Sequence, residues 1–236
     1  MKHPPPTSHT ALRRLFAAVM LSTLLASGVY AETASLAVLG SSTAAGTGAS
    51  QAGNSWVGLL QTWLMRTKDE KIINLATPGI LSSSALCTQA ASSNLMELIS
   101  PTRNIDKALK LGANHLILAF PSNDTTNGMP AEQTINNFLD MRQCAQSNDK
   151  VRVAVMSSLP RSGLSKKQNA AIAQIDAALQ KEFGHCFISV RSALADSSNE
   201  NPRRDLSAGD GVHFNDAGHA VIFTTVKRFM ESGKCF

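Results

Sequence analysis

Tyrosine is all but missing from this sequence. Its single copy, Tyr30, closes an apolar leader, and aromatic residues make up only 5% of the 236. Past that leader only phenylalanine and two tryptophans remain, so neither a tyrosine acid or base nor a stacking platform for sugars is expected. Charge is sparse as well, at 17% of residues. The formal net charge of +5 leans on Lys2, Arg13 and Arg14, which lie in residues 1–31 with no acid among them; without these three the balance is about +2. That gives no reason to expect nucleic acid, whose binders cluster Lys and Arg on one face. There is no C-x-x-C pair, no repeat, no domain linker and no low-complexity tract beyond Pro4–Pro6. No apolar run approaches the roughly 20 residues that span a bilayer. With 43% hydrophobic residues, disorder is excluded too, because too much apolar surface needs burial.

What is present begins with export chemistry. Arg13 and Arg14 precede an apolar run over residues 15–26, followed by Val29-Tyr30-Ala31. A charged flank, a short apolar core and a small-x-small site predict a secretory signal over residues 1–31 and a mature domain over 32–236. A retained N-terminal anchor is the alternative. The expected location is extracellular or periplasmic. Cys87, Cys144, Cys186 and Cys235 all fall in the mature part, an even number suited to disulfides. A final helix running antiparallel to a strand that starts at Cys186 would end beside it, which predicts Cys186–Cys235 and leaves Cys87–Cys144. Their wide spacing argues against a metal or redox site.

Strand and helix alternate along the chain. Strands are expected at residues 35–39, 71–76, 115–120, 151–156 and 186–190, as continuous apolar runs rather than alternating ones. Helices are expected after Asn54 (Trp56, Leu59, Leu60 and Trp63 on one face), at 105–111 ending at Gly112, at 131–144, after the Ser165/Gln168 capping box as far as Gly184, and after Asn215. This pattern predicts a single α/β domain: three layers, doubly wound, flavodoxin-like, with a mostly parallel five-stranded sheet. In such sheets, ligands bind beyond the carboxyl ends of the strands.

The loops at those ends hold the reactive residues. Ser42 follows the first strand in a Gly/Ser/Thr/Ala-rich turn. Asp210 and His213, three apart before the last helix, have the spacing for a carboxylate to hold one imidazole nitrogen while the other faces a serine. If the fifth strand lies three positions from the first, the loop after residue 190 must cross about 14 Å, which its length permits. The Ser42 and Gly79 backbone amides and the Asn123 side chain are candidate oxyanion donors.

The ordered set Gly40-Ser41-Ser42, Gly79, Asn123-Asp124 and Asp210-x-x-His213 resembles the SGNH (GDSL) hydrolases. The Asp-Gly-Val-His-Phe-Asn block is its most specific part. The resemblance spans the mature chain and implies a serine ester hydrolase working through an acyl-enzyme, with no metal or cofactor. Ser42, Asp210 and His213 would then be catalytic, and Ser42, Gly79 and Asn123 would form the oxyanion hole. Two positions depart from the family pattern: Ser41 replaces the usual aspartate, and Pro121 the usual glycine. Ser41 is thereby a rival nucleophile, although alignment on the final serine selects Ser42.

The expected substrates are short-acyl esters, including O-acetyl groups on polysaccharide, because no long apolar lid is evident. Lysophospholipid or thioester cleavage, acyl transfer and a non-catalytic binding domain are the alternatives. The expected partners are a small-molecule, polysaccharide or lipid ester and no nucleic acid, with the chain a monomer. Asp216/His219 repeats the Asp-x-x-His spacing as a rival dyad. His115 and His185 sit at strand starts, away from the reactive edge. Trp56 and Trp63 read as core or helix face, and Arg161, Arg203 and Arg204 as surface cations that could edge a pocket.

Overall fold

Five of the apolar runs become strands: β1 Leu36–Gly40, β2 Ile72–Asn74, β3 His115–Ala119, β4 Arg152–Met156 and β5 Phe187–Ile188. All pair in parallel, in the order β2-β1-β3-β4-β5. This computed structural model describes residues 1–3, 35–89, 96–120 and 122–236. The chain divides into two compact units, Met1–Glu32 and Thr33–Phe236. Beyond residue 3 the expected signal segment, with Tyr30 and its cleavage motif, lies outside the described residues, as does Pro121.

Eight helices are described: α1 Ser42–Ala45, α2 Trp56–Thr67, α3 Ile105–Lys110, α4 Asn123–Thr126, α5 Ala131–Ala145, α6 Lys166–Phe183, α7 Arg191–Leu194 and α8 Asp216–Glu231. A strand points alternate side chains to opposite faces, and that builds two cores on one sheet. Leu36, Val38, Ile117 and Ile188 pack with Trp56 and Leu60 of α2 and Ile222 and Val226 of α8. Ala37, Leu39, Leu116 and Val153 pack with Ile105 of α3, Phe138 of α5 and Ile175 of α6. Covering both faces explains why the strands read as unbroken apolar runs, and the result is a three-layer α/β/α sandwich.

The edge strands are shorter than the sequence suggested. β2 has three residues and β5 two, and Cys186 sits in a 3-10 turn before β5. The cap of α2 is Ser55, whose hydroxyl accepts from the Gly58 N–H at 3.1 Å, while Asn54 Nδ2 donates to Ser50 and Asp216. The helix expected as far as residue 111 ends at Lys110, and Leu111, its C-cap, is exposed. Disulfides join Cys87 to Cys144 and Cys186 to Cys235. With loops of 57 and 49 residues closed, each stabilises the fold by about 4 kcal/mol on a chain-entropy estimate. Among the described residues no helix is long and apolar enough to cross a membrane.

Candidate active site

The carboxyl ends of β1, β2 and β3 turn into three loops that hydrogen-bond to one another. The Ser41 N–H donates to the Ala119 carbonyl at 3.2 Å, and the Thr77 N–H to the Gly40 carbonyl at 3.0 Å. Asn123 Nδ2 donates to the Ile80 carbonyl at 3.2 Å. Gly40 ends β1 where nothing larger fits, since a Cβ there would lie 2.5 Å from the Ala119 oxygen. The chain then bends into α1, and Ser42 is its first residue, half-buried. First-turn amides of a helix have no acceptor within it, which leaves the Ser42 N–H available to a substrate oxygen.

Ser42 Oγ lies 2.9 Å from His213 Nε2, and His213 Nδ1 lies 2.5 Å from Asp210 Oδ2. The other Asp210 oxygen accepts from the Val212 and His213 amides at 2.9 and 2.8 Å. Burial pushes the Asp210 carboxyl up, but the hydrogen bonds from the His213 amide, its ring and the Val212 amide, together with the electrostatic attraction of His213, outweigh it. The net pKa is lowered to about 2. Asp210 is therefore ionised at any working pH, orients Nδ1–H toward itself and leaves Nε2 to accept the serine proton. Such a chain can generate a serine nucleophile.

The loop that brings His213 back across β4 and β3 is held at several points. The Ala208 N–H donates to the His213 carbonyl at 2.9 Å, the Asn215 N–H to Leu206 at 2.9 Å, and the Ser162 N–H to Gly211 at 2.8 Å. Phe214, fully buried, pins the residue next to the histidine. Gly48, at φ +97°, lets the loop after α1 press on this segment: a Cβ there would lie 2.2 Å from the Phe214 oxygen and 3.1 Å from His213 Cβ.

The remaining candidates separate cleanly. Gly79 lies in an exposed turn with φ +79°, closed by the Ile80 N–H to the Thr77 carbonyl at 3.4 Å. Asn123 is the first residue of α4, and one of its two amide hydrogens is held by Ile80, which leaves the other free to aim at a substrate. Ser41 is buried, its hydroxyl without a hydrogen-bond partner, whereas Ser42 carries the link to His213. His219 is wholly buried and both ring nitrogens are used: Nδ1 accepts from the Trp56 N–H at 3.2 Å, and Nε2 donates to the Thr47 carbonyl at 3.1 Å. Asp216 gives its carboxylate to Ser50 and Asn54 instead.

Trp56 is core, and Trp63 is half-buried beneath Lys68 and Lys227. Arg203 is paired with Asp205, and Arg204 is exposed. Cys87, Cys144 and Asp106 form a cluster with metal-ligand chemistry among the described residues, but both sulfurs are in the disulfide and no thiolate is left to bind. Sequence reasoning passed over Ser82 and Asn137. Both are buried polar residues hydrogen-bonded to each other, and Ser82 also to Asp124. Their separation of 42–55 residues carries no local signal.

The family described as GDSL-like Lipase/Acylhydrolase matches residues 38–221. Among solved structures, TesA superposes with a TM-score of 0.63 at 17% identity, covering 84% of this chain and 98% of its own. A psychrotrophic esterase, EstA, from Pseudoalteromonas sp. gives 0.62 at 16% identity, covering 84% and 97%. A two-domain esterase active on acetylated mannans gives 0.57 at 16% identity, over 84% of this chain and 49% of that one. No curated protein matches in sequence.

Proposed function

The chain belongs to the GDSL-like lipase/acylhydrolase family and is a hydrolase of the esterase kind; from that premise we propose that it is an exported serine esterase that removes short acyl groups through an acyl-enzyme. The observation that carries the mechanism is the unbroken path Ser42 Oγ–His213 Nε2, His213 Nδ1–Asp210. In the proposed reaction His213 takes the Ser42 proton as Oγ attacks the acyl carbonyl carbon. The oxyanion is met by the Ser42 and Gly79 amides and the Asn123 side chain. Collapse expels the alcohol, which takes the proton from His213. Water then gives its proton to His213, attacks the acyl carbon and releases the acid, and the proton returns to Ser42.

The short-acyl reading is supported by the openness of the dyad: the side chains of His213 and Asp210 are 20% and 50% exposed. An open site of this kind suits a small acyl group on a bulky alcohol. The relative active on acetylated mannans makes polysaccharide O-acetyl groups the first natural substrates to assay. Two disulfides support an oxidising destination, outside the cell or in the periplasm, for a monomeric mature domain over residues 32–236.

The test is turnover of p-nitrophenyl acetate, butyrate and octanoate, and acetate release from acetylated mannan, by wild type beside Ser42→Ala. Acetate is expected to be the best acyl group, and the variant to lose turnover by about 10⁴-fold or more. Preference for octanoate would replace the short-acyl reading with a lipase-like one. Activity surviving in Ser42→Ala would move the nucleophile elsewhere. A wild type that is folded and inert on every ester would point to a binding domain.

A further inference from the structure

Two of the three proposed oxyanion donors stand on loops separate from that of Ser42. Gly79 follows β2 and Asn123 follows β3, and these strands flank β1 on opposite sides, so no sheet bond fixes one loop against the other. Buried side chains do. Beside the Asn123–Ile80 bond, Asp124 accepts from the Ser82 N–H at 2.9 Å with one carboxylate oxygen and from the Ser82 hydroxyl with the other. Ser82 Oγ accepts in turn from Asn137 Nδ2 at 2.8 Å, and Asn137 Oδ1 accepts from Gln133 Nε2 at 2.9 Å.

Asp124, Ser82 and Asn137 are 4%, 0% and 0% exposed. Each donor in the series points its hydrogen toward Asp124, so the series needs an acceptor at both ends of that carboxyl group. An amide in its place could serve the Ser82 N–H with its oxygen but would turn an N–H toward the Ser82 hydroxyl, whose own hydrogen would lose its acceptor. Apolar side chains of similar volume would hold a core at least as well as a buried carboxylate does. Burial also pushes the Asp124 carboxyl up from its ordinary value, against the Ser82 hydrogen bonds that lower it. A costly group kept beside Asn123 calls for a role that packing alone does not supply.

We infer that Asp124 is a positioning residue: through Ser82 it clamps the Gly79 turn to the start of α4, so that the Gly79 amide and the Asn123 side chain converge on one oxyanion. The inference rests on the oxyanion roles proposed above, and it adds a residue that would never touch substrate.

Kinetics of Asp124→Asn, Ser82→Ala, Asn123→Ala and the Asn123→Ala/Asp124→Asn double variant test it, with an alkyl trifluoromethyl ketone as the transition-state mimic. Asp124→Asn should lower kcat by roughly 10- to 100-fold, with KM within about threefold, and weaken the ketone by the same factor. In the Asn123→Ala background the same change should cost clearly less than it does in wild type, because one of the two donors it brings together is gone. Ser82→Ala, which keeps the backbone bond, should show the same kcat-only pattern at several-fold, and it decides the matter if Asp124→Asn does not fold. Unchanged kcat in folded Ser82→Ala or Asp124→Asn would overturn the clamp, as would losses that simply add to that of Asn123→Ala. Full activity in Asn123→Ala would instead remove the oxyanion reading on which the clamp depends.

Discussion

Asp210-x-x-His213 and Asp216-x-x-His219 have identical spacing and nearly adjoin in sequence, yet they sit in opposite environments. Asp210 and His213 lie in a loop, where the carboxylate caps its own turn with one oxygen and holds the imidazole with the other. The free ring nitrogen then faces Ser42. Asp216 and His219 lie inside α8. Asp216 spends both oxygens on Ser50 and Asn54, while His219 bridges the Trp56 amide and the Thr47 carbonyl with no face open to a substrate. The second pair is a fastener for the loop between α1 and α2. That loop carries Gly48, which abuts His213, so one Asp-x-x-His supports the wall against which the other is set. Spacing nominates a dyad, and the partners of the second ring nitrogen decide whether it is one.

The comparison breaks most readily at the histidines. His213→Ala should lower kcat by about 10⁴-fold or more with little change in stability. His219→Gln should do the reverse, keeping kcat within about threefold and losing about 1–3 kcal/mol of unfolding free energy, because one terminal amide cannot reach both the Trp56 N–H and the Thr47 carbonyl and leaves one of them buried without a partner. Parallel esterase assays and urea titrations check both; a large kcat loss in His219→Gln would dissolve the distinction. Next in size is Gly48→Ala. Its added Cβ meets the Phe214 oxygen, at a φ that L residues rarely adopt, so the His213 segment must move. A kcat loss of about tenfold is expected, exceeding any rise in KM; normal kcat would show that the loop does not set the position of the imidazole.

The sheet was legible because a parallel strand covered on both faces must be apolar at every position, and that pattern survives in a single sequence. Ser42, Asp210 and His213 were legible because each is tied to a strand end or a helix start. α1, α4 and α7 were not, since a four-residue turn has no periodicity to read. The Asn54 and Ser55 caps could not be told apart locally, because both types cap well; Asn54 instead donates to Asp216, far away in sequence. The clamp of Ser82, Asp124 and Asn137 was invisible for the same reason. Its members are ordinary polar residues whose meaning appears only when three loops meet.

The smallest expected effect is also the most specific to the buried histidine. Burial holds His219 below its ordinary 6.5, against the raising influence of the Thr47 bond and of Asp216. Above pH 6.5 the ring is neutral in both folded and unfolded chains, and its contribution is fully present. Below it the unfolded chain takes up a proton that the folded one refuses, because Nδ1 must stay bare to accept from Trp56. Stability therefore falls with acid, by up to about 1.4 kcal/mol per pH unit. His115, also lowered by burial and by Lys68 and Arg152, acts in the same direction. Asp176, raised to about 6 by burial against the Ser158 bonds and Arg191, acts in the opposite one. Asp210, at about 2, enters only in stronger acid. The difference between wild type and His219→Gln cancels these shared contributions. Urea unfolding at pH 7.5 and 5.0 should show a steeper acid loss in wild type than in the variant, and equal losses would mean that the ring between Trp56 and Thr47 accepts its second proton without breaking the fastener.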